Sequence, residues 1–414
     1  MPSIRKSLLQ FVFSGAYMKR WNDKLRPMEL WEVDKQAHKM MVAWVLMMLN
    51  SRDMSVEQRL DLGVRIAEGG LFDYFYRLVI TDIKPPIFYQ IKAEPEHYRK
   101  LTAWVLEQLG PRVQPLGKAF WSRLETRLSS RDESDLASRI LDAAHLYASR
   151  WEFNLIKGVN PYSDELDEIE LNFEDGLKAH ENLTGVAELR SGTATPLGRF
   201  AHLCGHLRFQ ARWSQTPRIP ETTVLGHLFI VAAYAYFFSL TVGACSARRQ
   251  NNFFAGLFHD LPELLTRDII SPVKKSVQPI ADLIKGYEER EMERRVFRLL
   301  HEAGCPDVAE RLSYLLGMEV GSEFAASVVE DGKVIAVDTE ALHARYNSDI
   351  FDPKDGEMLK VCDNLAAFLE AYTAVRNGIT SDQFQQAMYR FRKMYSATSL
   401  GDGLHIGALL ADFD

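Results

Sequence analysis

Along most of the chain, apolar residues recur three and four positions apart, while alternating strand-like patterns are few and short. The spacing predicts an all-α protein. A polar stretch of small residues, Ser191-Gly192-Thr193-Ala194-Thr195-Pro196, interrupts the pattern near the middle and reads as a linker, dividing the chain into 1–190 and 191–414. The most apolar run, Val224 to Val242, is long enough to raise the question of a membrane span. It contains His227 and many small and aromatic residues, and no second span follows it, so a buried core helix is expected. The basic and apolar N-terminus, MPSIRKSLLQFVFSGAYMKR, has its apolar run broken by Gln10 and has a counterpart later in the chain, which argues against a leader peptide.

The two halves resemble each other. Glu32-Val-Asp-Lys-Gln-Ala-His38 opens a long apolar helix, and so does Glu221-Thr-Thr-Val-Leu-Gly-His227, 189 positions later. Gly70-Leu71-Phe72-Asp73-Tyr74 matches Gly256-Leu257-Phe258-His259-Asp260, and Asp82-Ile83-Lys84-Pro85-Pro86 matches Asp268-Ile269-Ile270-Ser271-Pro272, both 186 positions later. Asp142, in Ile140-Leu141-Asp142-Ala143-Ala144, would correspond to Asp363 in Val361-Cys362-Asp363-Asn364-Leu365. Matches in one order along both halves predict a tandem duplication. In the first half, Asp73, Tyr74 and Arg77 stand where His259, Asp260 and Glu263 stand in the second. This predicts a degenerate copy without metal, in which Arg77 beside Asp73 and Asp142 supplies the missing positive charge.

Composition narrows the class. The 414 residues are 47% hydrophobic and 25% charged, the profile of an ordinary folded protein. With 49 basic and 56 acidic residues the net charge is −7, the wrong sign for coating a nucleic acid polymer. Cys204, Cys245, Cys305 and Cys362 form no C-x-x-C pair, which suggests reduced thiols in a cytoplasmic protein.

The chemistry concentrates in the second half. If His227, His259, Asp260 and Asp363 converge, two imidazoles and two carboxylates form a mixed shell suited to one divalent metal ion (Mn, Co, Fe, Ni or Zn), with positions left for water and a substrate oxygen. Asp363 lies beside the helical stripe Met358, Cys362, Leu365, Leu369 and Tyr372, where a bare carboxylate would be costly without a cation. Asp338 competes for the fourth position. Glu263, three and four residues after Asp260 and His259, is expected on the same helical face, placed to orient a water or pass a proton.

In this order, H…HD…D resembles the HD-domain superfamily of metal-dependent phosphohydrolases. About residues 197 to 380 are similar to one branch, the bacterial 5′-deoxynucleotidases. Phe200-Ala-His-Leu-Cys-Gly-His-Leu-Arg-Phe-Gln-Ala-Arg212-Trp213 looks like that family's first helix, ending in its Arg-Trp pair. His259-Asp260-Leu-Pro-Glu263-Leu-Leu-Thr-Arg-Asp268-Ile-Ile-Ser-Pro272-Val-Lys274 looks like its central signature, and Leu359-Lys360-Val361-Cys362-Asp363 like its final ligand helix. The resemblance implies catalytic carboxylates at Glu263 and Asp268 and nucleotide contacts from Arg212, Trp213 and Lys274. It also implies release of phosphate from nucleoside 5′-monophosphates, the 2′-deoxy form first. Because those enzymes are homodimers, the two halves are expected to pack as a pseudo-dimer within a monomeric chain, with no membrane and no nucleic acid polymer as partner. One departure is Gly226, where related sequences carry an acidic residue just before the first His.

Two other hydrolase readings compete, one acting on nucleoside triphosphates or pyrophosphate and one on signalling nucleotides. For the second, Gly286-Tyr287-Glu288 does not fit the Gly-Tyr-Pro motif of the cyclic-dinucleotide enzymes. A nonenzymatic nucleotide-binding regulator is the alternative of another class. Retention of Glu263 and Asp268 beside all four ligands argues against it.

Overall fold

The computed structural model describes residues 4–161, 163–266 and 278–414. Among them helices dominate, and strands are limited to the antiparallel pair Ser327–Glu330 with Lys333–Ala336 and the shorter pair Ser399–Leu400 with Leu404–His405. The fold is all-α. Eight helices, numbered in chain order, build its centre: α1 (Lys6–Phe13), α2 (Glu32–Asn50), α3 (Val56–Ile80), α4 (Leu136–Ile156), α5 (Pro196–His206), α6 (Val224–Thr241), α7 (Ser246–Phe258) and α8 (Gly356–Arg376).

Local sequence explains where these helices begin. Ser55 and Gln58 form a capping box at α3, and Asp135 caps α4 by accepting from the Ser138 amide. Thr195 caps α5 with Pro196 in its first position, Thr223 accepts from the Gly226 amide at α6, and Asp355 accepts from the Met358 amide at α8. The stretch read as a linker is therefore a short 3₁₀ turn, Gly192–Ala194, running straight into a capped helix.

Packing is centred on α2 and α6, which lie against each other, with α3 and α4 against α2 and with α7 and α8 against α6. Both helices are covered nearly all round: α6 is apolar on every face, whereas the first two turns of α2 carry the buried polar residues Glu32, Asp34, Lys35, Gln36, His38 and Lys39. In α6, the one described helix long and apolar enough to cross a membrane, 89% of the apolar window is buried inside the protein. One continuous core runs through both halves, joined by edge-to-face pairs such as Trp44 with Phe258 at 4.9 Å and Tyr74 with Phe229 at 4.8 Å. α7 approaches α6 so closely that a Cβ on Gly256 would sit 3.0 Å from the Ala232 backbone, and a Cβ on Gly70 would collide with Met40 of α2.

The same contacts recur in the two halves at fixed separations. Lys19 bridges Trp31 and, 192 positions on, Ala211 bridges Thr223. Trp21 and Trp213 both take positive φ, 57° and 56°. The first helix of each half also lies on the central helix of the other half. The Leu9 carbonyl in α1 accepts from Tyr234 of α6 at 2.8 Å, and the Ala201 carbonyl in α5, again 192 positions on, pairs with Nε2 of His38 in α2 at 2.8 Å.

Candidate metal centre

Three separate helix ends deliver the candidate ligands. The Thr223 cap places His227 in the first turn of α6, and the Asp355 cap places Asp363 two turns into α8. His259 caps the C-terminal end of α7, with Asp260 following in the turn. Pro262 lacks an N–H and its ring would meet the Phe258 carbonyl, so the helix stops there. A new short helix, Glu263–Thr266, begins after it. The expectation that Glu263 shares one continuous helical face with His259 and Asp260 is corrected accordingly.

The ligand atoms converge. His227 Nε2 lies 3.0 Å from Asp363 Oδ1 and 3.9 Å from Asp260 Oδ2, while His259 Nε2 lies 3.4 Å from Asp260 Oδ2 and 3.9 Å from Asp363 Oδ1. Donor atoms of His227, His259 and Asp363 all fall within 4.8 Å of one another. His259 Nδ1 lies 2.8 Å from the Gly256 carbonyl, an acceptor, so that nitrogen carries the proton and Nε2 presents a bare lone pair. That Nε2 is buried without a hydrogen-bond partner and faces two carboxylates. A lone pair aimed at anionic oxygens is unfavourable unless a cation sits between them, so the donor set fits a divalent ion held by His227, His259, Asp260 and Asp363. Burial opposes ionisation of Asp363, but its hydrogen bond to His227 and the charge of Lys360 outweigh it and hold the carboxyl well below its usual range. Lys360 Nζ donates to Asp363 at 2.9 Å.

Residues 204–391 match the family model of the HD domain.

The matched segment contains His227, His259, Asp260 and Asp363, and an HD domain suggests a metal-dependent phosphohydrolase. No curated protein and no solved structure matches the chain.

Glu370 completes the HD segment's site and was missed in the sequence. It is fully buried, two turns after Asp363 on the same face of α8, with Oε1 3.7 Å from His227 Nδ1. It accepts from Arg212 Nε at 3.3 Å, Trp213 Nε1 at 2.8 Å and Thr222 Oγ1 at 2.7 Å. Burial would raise its pKa, but the charges of Arg212, Arg218 and His227 bring it down to about 2. A carboxylate inside Ala367-Phe368-Leu369-Glu370-Ala371-Tyr372, seven residues after a candidate ligand, was the available signal.

The other sequence candidates fall as follows. Arg212 reaches both Glu370 and, at 3.6 Å, Asp260, so it borders the metal centre. Trp213 is half-buried, its indole N–H spent on Glu370 and its ring edge-on to Phe384 at 5.2 Å, which makes it part of the scaffold around Glu370. Glu263 is buried at the start of its short helix, and its carbonyl accepts from the Gln210 amide at 3.0 Å. Asp338 caps Thr339–Ala344 through the Ala341 amide at 2.7 Å, so its carboxylate is committed to a helix end. Asp268 and Lys274 lie outside the described residues.

In the first half, two of the matches drawn from the sequence, His38 with His227 and Asp142 with Asp363, are each displaced by about one helical turn from the positions that the hydrogen bonds pair. His38 does not take the place of His227: it is a buried core residue bonded to Ala201 and set edge-on to Tyr147 and Trp151. The bridges fix a separation of 192, which puts Lys35 at the place of His227. Arg20 and Trp21 donate to Glu152 at 2.7 and 3.1 Å just as Arg212 and Trp213 donate to Glu370, a separation of 218 that puts His145, not Asp142, at the place of Asp363. Lys35 Nζ and His145 Nδ1 are then 2.5 Å apart, where His227 and Asp363 meet in the second half. Arg77 bonds Glu32 at 3.2 Å and Asp82 at 2.8 Å, not Asp73 and Asp142. Asp73 is instead neutralised by Lys39 at 2.9 Å and Arg127 at 3.1 Å, and Asp142 by Arg131 at 2.6 Å. A difference of one turn is hard to read from sequence because it preserves which face of the helix is apolar.

The missing acidic residue before His227 also has an explanation. At a separation of 192, Gly226 corresponds to Asp34, and the two touch: a Cβ on Gly226 would sit 2.5 Å from Asp34 Oδ1. An acid at both positions would bury two carboxylates against each other.

Proposed function

We propose that the HD segment is a metal-dependent phosphohydrolase releasing phosphate from nucleoside 5′-monophosphates, with the 2′-deoxy form as first candidate. The observation that carries this reading is the convergence of His227, His259, Asp260 and Asp363 around a buried imidazole lone pair that lacks a hydrogen-bond partner. A divalent ion in such a shell supplies polarisation of a phosphate oxygen and acidifies a coordinated water. Arg212, at the edge of the centre beside Asp260, is placed to attract the phosphate dianion. Glu263 is assigned the proton transfer to the leaving ribose oxygen, and Asp268 is assigned as a second catalytic carboxylate by resemblance. Lys274 and Trp213 remain assigned to the nucleotide on the same basis.

Supplied with Mn²⁺ or Co²⁺, the protein is expected to release phosphate from deoxynucleoside monophosphates faster than from triphosphates, and Glu263→Ala is expected to lose turnover while keeping its metal. Release of pyrophosphate instead would favour the triphosphate reading. Absence of turnover above the metal-free control across a panel of monophosphates would sink the nucleotidase reading and favour a binding regulator.

The same proposal takes residues 1–190 as a degenerate copy of 191–414, the two packed as a pseudo-dimer within one chain. Its support is the recurrence of bridges, cap positions, crossed first helices and Arg-Trp-Glu clamps at separations of 192 and 218. A cytoplasmic setting belongs to the proposal and accords with four unpaired cysteines.

A further inference from the structure

A groove of about 490 Å³ lies between α5 and the helical segment 293–302 that packs on it, a volume within the ~300–1,000 Å³ of small-molecule sites. Its lining is cationic. Arg199 and His202 enter from α5, and Arg294, Arg295 and Arg298 from the opposite wall, with Glu302 as the one carboxylate among the lining residues. Glu302 is divided between Arg298 at 2.7 Å and Arg199 at 3.6 Å, and Glu291 takes Arg294 at 2.6 Å. Arg295 is exposed and has no ion-pair partner among the described residues. Four guanidiniums therefore face two carboxylates, and an anion placed between the walls relieves the repulsion among them.

The backbone is irregular at the same place. Glu293–Phe297 forms a π-helical turn that carries Arg294 and Arg295 on the groove wall; such turns are rare and concentrate at functional positions. The wall from α5 is anchored to the first half of the chain: His202 Nδ1 accepts from Trp151 Nε1 at 2.8 Å, so its proton stays on Nε2, which meets His206 Nε2 at 3.0 Å. A proton between those two nitrogens argues against the pair as a chelate for a cation, and so does the surrounding positive charge.

We propose that this groove binds a chain of two or three phosphates, free or carried by a nucleotide, with Arg199 and Arg295 gripping it from opposite walls. Guanidinium forks match phosphate oxygens bidentately. Arginines spread over two walls suit a run of phosphates, whereas a single phosphate engages one wall. The net charge of −7 disfavours a nucleic acid strand as the occupant. No lining residue belongs to the HD centre, so the inference goes beyond the hydrolase reading and does not depend on it.

The test is calorimetric titration of the full chain in EDTA at about 0.15 M salt, with tripolyphosphate, deoxyadenosine 5′-triphosphate, inorganic phosphate and a single-stranded oligodeoxynucleotide. One equivalent of tripolyphosphate is expected to bind, more tightly than inorganic phosphate. Arg295→Ala and Arg199→Ala, both at exposed positions, should each weaken it about tenfold, the loss of one charge-assisted hydrogen bond. His259→Ala should bind as the wild type does. Equal affinity for tripolyphosphate and the nucleotide would identify the phosphate chain as the ligand, and tighter nucleotide binding would add its nucleoside; both support the proposal. No saturable binding, binding unchanged in both arginine variants, inorganic phosphate bound as tightly as tripolyphosphate, or the oligonucleotide bound more tightly than either polyphosphate would overturn it. So would loss of binding in His259→Ala, which would put the anion at the HD centre.

Discussion

Replacing Asp34 by asparagine is expected to stabilise the protein, and more so as the pH rises. Asp34 is completely buried against Gly226, where the two halves meet. Its Oδ1 accepts from Thr223 at 2.8 Å and its Oδ2 has no hydrogen-bond partner. Burial pushes its pKa from 3.8 up to about 7, although Arg208 and the Thr223 hydroxyl pull the other way. A carboxyl whose folded pKa exceeds its unfolded one holds its proton more tightly when folded, so stability drains away as pH climbs from about 4 through about 7. At about 1.4 kcal/mol for each pH unit, the rise from 3.8 to about 7 corresponds to about 4 kcal/mol above neutrality. Asparagine occupies nearly the same volume and removes the titration. Denaturant unfolding of wild type and Asp34→Asn in EDTA at pH 5 and pH 8 isolates the effect as a difference of differences, with the variant gaining up to about 4 kcal/mol at the higher pH. A variant advantage that does not change between the two pH values, or that shrinks at pH 8, would refute the reasoning.

Purified protein should carry about one divalent ion per chain, and His259→Ala and Asp260→Ala should each lose it by removing a ligand from an open site; elemental analysis that finds unchanged metal in both would exclude the centre. Glu370→Gln should weaken metal affinity about tenfold by removing the buried negative charge 3.7 Å from His227 Nδ1, measured by competition with a chelator, while Glu370→Asp should recover part of it. Gly256→Ala should lower stability by about 1–3 kcal/mol, because the new methyl meets the Ala232 backbone and not a mobile side chain; an unchanged melting temperature would contradict the close approach of α7 and α6.

The all-α class and the burial of the Val224 run were legible along the chain, and so were the four candidate ligands that the fold brings together. Helical periodicity, the capping signals at Thr195 and Asp355 and the His-Asp dipeptide are local properties, expressed within a few residues. The register of the proposed duplication was not legible. Lys35 and His38 both lie on a helix buried all round, so no pattern of apolar positions ranks one above the other as the counterpart of His227. Hydrogen bonds between distant segments decide it: the bridges at Trp31 and Thr223, and the shared grip of Arg20 with Trp21 on Glu152 and of Arg212 with Trp213 on Glu370. The commitment of Trp213 to Glu370 and the meeting of Asp34 with Gly226 are of the same kind. Each depends on which groups are brought within 3 to 4 Å across tens or hundreds of residues of chain, and that proximity exists only once the helices of both halves have packed around α2 and α6.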